Sequence, residues 1–492
     1  MHRPRQFGSF LVIGFAAVPL AAQEPPQAVV ARLAAVESAV VRVTGAHPDA
    51  IWPAFRPDTI PVLFVVRDAG VLLLNWPAAE PPDGFAAIPG RSHAGWQSAA
   101  VRTAASTSTA LGGRSAAQVF VFPAANDALL FGTTVHEAFH VFERSRAAPG
   151  RRFGSGENAF LVSTYPVFDA RNEAGVALEG RLLAGALGAR TPSEMREAAQ
   201  EAVAAREARH RTLGSELADF ETQAELNEGL AEYALVRSLE LAAGDTTFPW
   251  RADAAKEVRR HQLQLDSLTS NVSQSLRLRF YVTGPAMGLI LDRLAGPAWR
   301  QKLERSDLTL QEALAETSGY RDQERVLLQR AARAVDTIVL ARDARAAVAR
   351  LGATRRAQVD SILAQPGLLL VLRADSLPSR RFGVCGIDPQ NLLQVDGTVL
   401  LHTRWVRPCG GGLSGEFTTA AIQDRDAGTF TAVVGAADSV RITAGGDAVT
   451  LREGESLVVS ALKVIAPGAT LEAAKALLRR TARALELSPL AR

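Results

Sequence analysis

The segment His136-Glu137-Ala138-Phe139-His140 lies inside an apolar run, with Phe131-Gly132-Thr133-Thr134-Val135 before it and Val141-Phe142 after it. Residues four apart stand on one face of a helix, so both imidazoles can converge on one ion while Glu137 faces the water beside it. Such a segment must be a helix that is buried on most sides and meets something polar on one. The chain has only eight histidines in 492 residues, so this pairing around a glutamate is specific. The pattern predicts a helix from about Asp127 to Arg144.

A catalytic zinc takes three protein ligands and leaves a fourth position for water. A second helix, expected from about Ser215 to Leu241, carries Glu221, Glu225, Glu228 and Glu232 at steps of four, three and four. Taken alone, that run is a solvated acidic stripe. Taken with the motif, one carboxylate ligates the metal and another, one turn on, fixes a ligand histidine. Gly229 favours the second reading. A mid-helix glycine costs about 1 kcal/mol relative to alanine, which is explained if another backbone or a substrate passes close to it. Glu228 is the expected third ligand, with Glu225 as the alternative.

The two segments His136-Glu137-x-x-His140 and Asn227-Glu228-Gly229-x-Ala231-Glu232 together resemble the gluzincin metallopeptidases, the clan containing thermolysin and aminopeptidase N. The resemblance implies one Zn2+ held by His136, His140 and Glu228, with Glu137 as general base and Glu232 buttressing a ligand histidine. It also points to Tyr281, in Arg279-Phe280-Tyr281-Val282-Thr283-Gly284, as a donor to the transition state. From the residues alone, Tyr281 is a packed aromatic at a helix start. The spacing between His140 and Glu228 exceeds that of both named families, and no Gly-x-Met-Glu-Asn segment precedes the motif. The chain is therefore placed in the clan and in neither family. The resemblance further implies a strand that pairs with substrate; Ala117 to Phe122 fits that edge or a buried central strand equally well.

The patterning predicts an α+β chain. Residues 23–130 read as a small mixed lobe: an amphipathic helix over 26–44, a hairpin from Ile60 to Val66 and Val71 to Trp76, a Pro-rich loop over 77–90, and a strand before the motif. Residues 131–350 read as a helical lobe, with 172–211 as an insertion and further helices near 253–268, 274–295 and 308–348. Residues 366–468 return to strand patterning, including Leu368 to Leu372, Val399 to His402, Thr429 to Val434 and Ser456 to Val459. An amphipathic helix is expected over 469–487. The glycines at 410, 411, 412 and 415 lack the Lys-Ser/Thr that follows a phosphate cradle, so a turn is expected there.

His2, Arg3 and Arg5, the apolar run Phe7 to Val18 and Leu20-Ala21-Ala22 read as a secretory signal peptide over 1–22. The expected location is secreted or periplasmic. In that setting Cys385 and Cys409 are expected to pair. A net charge of +3, with its charges scattered, gives no nucleic-acid footprint. No run of about 18 apolar residues predicts stable membrane insertion. The expected partners are a peptide or protein substrate and a ligand or partner of the C-terminal β-region. His210 and His261 are the alternative donors to the transition state, though their Arg-rich helical stretches place them at the surface; His47, His93 and His402 are expected as structural residues. Three functions compete: a zinc metallopeptidase, a hydrolase of another amide or ester, and a non-catalytic zinc-scaffolded binding protein. Glu137 argues against the third, because a scaffold has no use for a base.

Overall fold

The computed structural model describes residues 25–490 except 68, 99–105, 123–124, 269–275, 322 and 390. The expected signal segment over 1–22 lies outside the described residues. The fold is α+β, with a sheet near each end of the chain and helices between them.

Helix α1 (Gln27–Ala46) buries Val30, Leu33, Val36 and Val40 at helical spacing. The hairpin follows as β1 (Val62–Val66) and β2 (Gly70–Leu74), paired antiparallel. The expected loop over 77–90 instead contains a short strand, β3 (Ala86–Ile88), which folds back on β4 (Arg91–Gln97). Strands β5 (Thr107–Leu111) and β6 (Arg114–Val121) complete the sheet, in the order β3-β4-β2-β1-β6-β5. Strand β6 pairs with β1 in parallel and with β5 antiparallel, so it is interior and β5 is the edge. Both faces of the sheet are covered. Val62, Phe64 and Val119 meet the helices, while Leu63, Val65 and Phe120 pack around Trp76 on the other side. A strand buried on both faces is apolar throughout, which is why Val119-Phe120-Val121 shows no alternation.

The motif helix α2 runs Asp127–Ser145, and the Asn126 side chain caps its start by accepting from Leu129 N–H at 2.7 Å. The predicted 172–211 stretch is two helices, α3 (Ala170–Gly188) and α4 (Pro192–Leu213), divided where Thr191 and Glu194 form a capping box. The second key helix is interrupted. Helix α5 (Ser215–Ala224) passes through a π-helical turn (Glu225–Gly229) into α6 (Leu230–Gly244). Helix α7 (Arg251–Ser267) and a 3-10 turn (Leu276–Arg279) lead into α8 (Phe280–Ala295). The region read as one helix over 308–348 holds α10 (Leu310–Ser318), α11 (Glu324–Ala334) and α12 (Thr337–Ala364), after the short α9 (Ala298–Arg305). Gly319, left-handed at φ 73°, ends α10.

The C-terminal sheet contains the four expected strands and corrects one element. Residues 469–487 are not a helix: Ser456–Ala466 and Ala469–Arg480 form a long antiparallel hairpin, and Ala484–Pro489 adds a further strand. The segment is rich in Ala, Leu and Arg, all good helix formers. Its residues Ala469, Leu471 and Ala473, then Ala476 and Leu478, nevertheless turn inward with the two-residue period of a strand. Pairing over ten residues with Ser456–Ala466 outweighs the local preference. Gly468, at φ 76°, turns the hairpin.

This sheet is seated on the helical region. Leu392 and Leu400 pack against Val162, Tyr165, Phe220 and Phe280. The Gln394 amide donates to the carbonyls of Val162 and Tyr165 at 2.8 and 2.7 Å. Cys385 and Cys409 are disulfide-bonded and join the neighbouring strands Gly383–Ile387 and Val406–Cys409. Among the described residues no helix is long and apolar enough to cross a membrane. Closing a loop of this length limits the unfolded chain, so replacing both cysteines with serine is expected to destabilise the sheet by about 3 kcal/mol in chemical denaturation.

Candidate metal centre

Burial of Phe131, Val135, Ala138 and Phe139 fixes the rotation of α2, and that rotation turns His136, Glu137 and His140 towards α6. A second contact brings the opposite wall in. Gly229, at the end of the π-turn, lies against Gly284 of α8, and a Cβ built on Gly284 would stand 2.4 Å from the Gly229 Cα. The two glycines let the backbones touch, which carries Arg277 and Tyr281, just before and at the start of α8, onto Glu228. Gly229 is explained by the approach of another backbone. Gly284→Ala is expected to destabilise the protein by about 1–3 kcal/mol, since backbone cannot yield as a side chain does. It should also weaken metal binding; thermal unfolding and metal titration measure the two effects.

The structure brings His136, His140 and Glu228 together as a buried group able to hold a metal ion. The two imidazole Nε2 atoms are 3.2 Å apart, and Glu228 Oε2 lies 3.6 Å from the first and 3.4 Å from the second. An ion bound tetrahedrally at about 2.0–2.1 Å has donor–donor edges of about 3.3–3.4 Å. The three atoms therefore already form one face of such a tetrahedron.

A carboxylate stands behind each ring. Glu232 Oε2 lies 2.9 Å from His136 Nδ1, and Glu143 Oε2 lies 3.3 Å from His140 Nδ1, close enough for ion pairing but out of line for a hydrogen bond. A carboxylate beside Nδ1 favours a proton there electrostatically, which leaves the Nε2 lone pair for the metal. Two lone pairs 3.2 Å apart beside a carboxylate oxygen repel unless a cation or a proton sits among them. Glu232 also faces the Nδ1 of His261 at 3.3 Å.

Glu137 is 5% exposed, and its Oε2 has no hydrogen-bond partner among the described residues. Tyr281 donates its hydroxyl to Glu228 Oε2 and stacks on the His136 ring at 5.6 Å between centroids. Arg277 donates to Glu228 Oε1.

The four glutamates do not share one solvated face. All are buried, and the π-turn splits them into two pairs. Glu221 accepts from Arg209 and from His210, and Glu225 accepts from Arg206 and Thr283. Glu225, the alternative ligand, is thus engaged away from the histidines. Glu228 and Glu232 face the histidines. A single extra residue in the turn produces this split, and π-turns concentrate at functional sites. Two surface assignments are corrected with it: the side chain of His261 is only 7% exposed beside Glu232, and that of His210 is held by Glu221. Both sit against carboxylates that draw them inward. His47, His93 and His402 lie away from the group, with His93 bonded to the Trp76 carbonyl and His402 buried against Gln423.

Burial alone would raise the Glu228 carboxyl; the Arg277 guanidinium and the two imidazoles outweigh it and hold the group well below the usual carboxylate range. Burial also opposes charge on the histidines, yet the carboxylates win, raising His140 to about 9 and lifting His136 well above its ordinary value. Burial pushes Glu137 up and Glu143 up to about 7. Burial together with Glu228 raises the Tyr281 phenol, so it remains a donor.

Without a cation the imidazoles thus hold protons at neutral pH, and an arriving ion must displace them. Metal affinity is expected to fall as pH drops below about 9. Calorimetric titration in buffers of different ionisation enthalpy should show roughly one to two protons released per ion near pH 7.

Glu143 and Arg277 were not singled out in the sequence. Glu143 was findable, because it stands three residues after His140 on the same helix face. Arg277 had no local signal, since its partners come from remote segments. Compared with protein-family models, curated proteins and solved structures, the chain matches none. The site therefore rests on its own geometry.

Proposed function

We propose that the chain is a zinc-dependent hydrolase of the gluzincin type that cleaves peptide bonds. The observation that supports this most is the convergence of His136 Nε2, His140 Nε2 and Glu228 Oε2 beside Glu137, whose Oε2 has no partner among the described residues. Two imidazoles and one carboxylate are a donor set that suits zinc and leaves a position open. When bound there, the ion supplies Lewis acidity, polarising a scissile carbonyl and making water nucleophilic near neutral pH.

The chain's own residues do the rest. Glu137 takes the proton from the attacking water and returns it to the leaving amine. Its raised proton affinity suits a group that must hold a proton between the two steps. Tyr281, kept protonated, offers its hydroxyl to the oxyanion on the carbonyl. Glu232 and Glu143 hold the two imidazoles in position. Among the described residues strand β5 pairs with β6 alone, and Arg144 of the motif helix donates to its Ser108. An extended peptide can add along that edge as a further strand. The disulfide, with the signal segment expected from the sequence, fits action outside the cytoplasm.

The test compares the parent chain with Glu137→Gln. Both are expected to bind about one zinc per chain, while turnover of a peptide library, read by mass spectrometry, falls in the variant by about 10²–10⁴-fold. Equal turnover removes Glu137 as base. Metal binding without cleavage of any peptide in the parent moves the assignment to another amide or ester, or to a binding role.

A further inference from the structure

The two oxygens of Glu228 have different neighbours. Oε2 faces both imidazoles and accepts from the Tyr281 hydroxyl, whereas Oε1 accepts from Arg277 Nη2. The same Nη2 donates to Glu157 Oε1 at 2.5 Å. The other oxygen of Glu157 accepts from the side-chain amide of Asn227, the residue immediately before Glu228. Asn227, Glu157, Arg277 and Glu228 thus close a ring. It joins three separate segments: the π-turn, the 3-10 turn before α8, and the loop after α2. The Arg277 and Glu157 side chains are 9% and 4% exposed.

We infer that Arg277, anchored by Glu157, is a positioning residue that restricts Glu228 to one-oxygen ligation. This rests on the metal-site reading above. A carboxylate with both oxygens free can chelate a cation through both, which occupies the position that water needs. Here Oε1 is already committed to a charged donor that is itself locked, and such charge-assisted bonds are the strong ones. Oε2, whose donor is the neutral Tyr281 hydroxyl, is the oxygen left to complete the face formed by the imidazoles. Among the described residues the ion pairs of Arg277 are with Glu157 and Glu228, so its route to the histidines runs through Glu228. The positive charge beside the ligand also draws electron density from it, which favours a more Lewis-acidic ion.

The test uses the full chain loaded with Co2+, whose visible absorption is strong in four-coordinate sites and weaker in five-coordinate ones. Arg277→Met, Arg277→Lys and Glu157→Gln are compared with the parent, each checked for folding by circular dichroism. In Arg277→Met the visible band is expected to weaken, and kcat on a cleaved peptide to fall about 10–100-fold with KM little changed. Arg277→Lys, which keeps a donor to Oε1, is expected to restore the parent band. Glu157→Gln keeps an acceptor but loses the charge that holds Arg277, and should weaken the band part-way; it decides the matter if Arg277→Met does not fold. Parent-like bands in the folded Met or Gln variant overturn the inference and leave the metal site standing. A parent that takes up no Co2+ overturns both.

Discussion

Three electron-rich atoms meet within 3.6 Å of one another in a buried space, and such a meeting requires positive charge at its centre. The surroundings sharpen that need. Glu137, Glu143 and Glu232 stand around the histidines, and among the described residues Arg277 is the cation bonded directly to the group. Burial makes each carboxylate costlier to ionise, while the imidazoles make ionisation easier. The raised histidines show how the metal-free chain resolves this, by taking up protons. A divalent ion resolves it better, because it satisfies all three atoms at once.

The architecture delivers these atoms through packing. Helix α2 is rotated by its aromatic side, which packs on Trp52, Phe55 and Phe153. The facing wall is set by the glycine contact between the π-turn and α8. Behind that wall Arg206 and Arg209 pair with Glu179, Glu221 and Glu225. This network accounts for the acids that do not reach the metal site. Its charges are fully buried, so removing a single partner would strand its counterpart at a cost of several kcal/mol.

Much of this was readable in the residues. His136, Glu137 and His140 lie on one helix, and helical spacing alone relates them. Glu228 and Glu232 were readable because Gly229 sits between them with no local reason to be there. The division between Glu225 and Glu228 was not readable, because a one-residue π-turn leaves the apolar periodicity almost unchanged. The burial of His261 depends on α7 packing beside α6. The strand at 469–480 misled for a related reason: Ala and Leu satisfy a helix and a buried strand alike, and only the partner strand decides between them. The interior place of β6 was likewise undecidable, since an all-apolar strand does not reveal how many neighbours it has.

The Gln394 latch carries a consequence for how the molecule comes apart. The carbonyls it binds belong to the stretch that continues from Glu157, a member of the ring around Glu228. Beneath the latch, the Leu392 and Leu400 side chains cover Val162, Phe220 and Phe280. Peeling the last hundred or so residues away would wet that apolar patch and slacken a segment tied to the metal ligand. The C-terminal sheet and the metal centre are thus thermodynamic dependants, although no described residue of that sheet reaches the histidines.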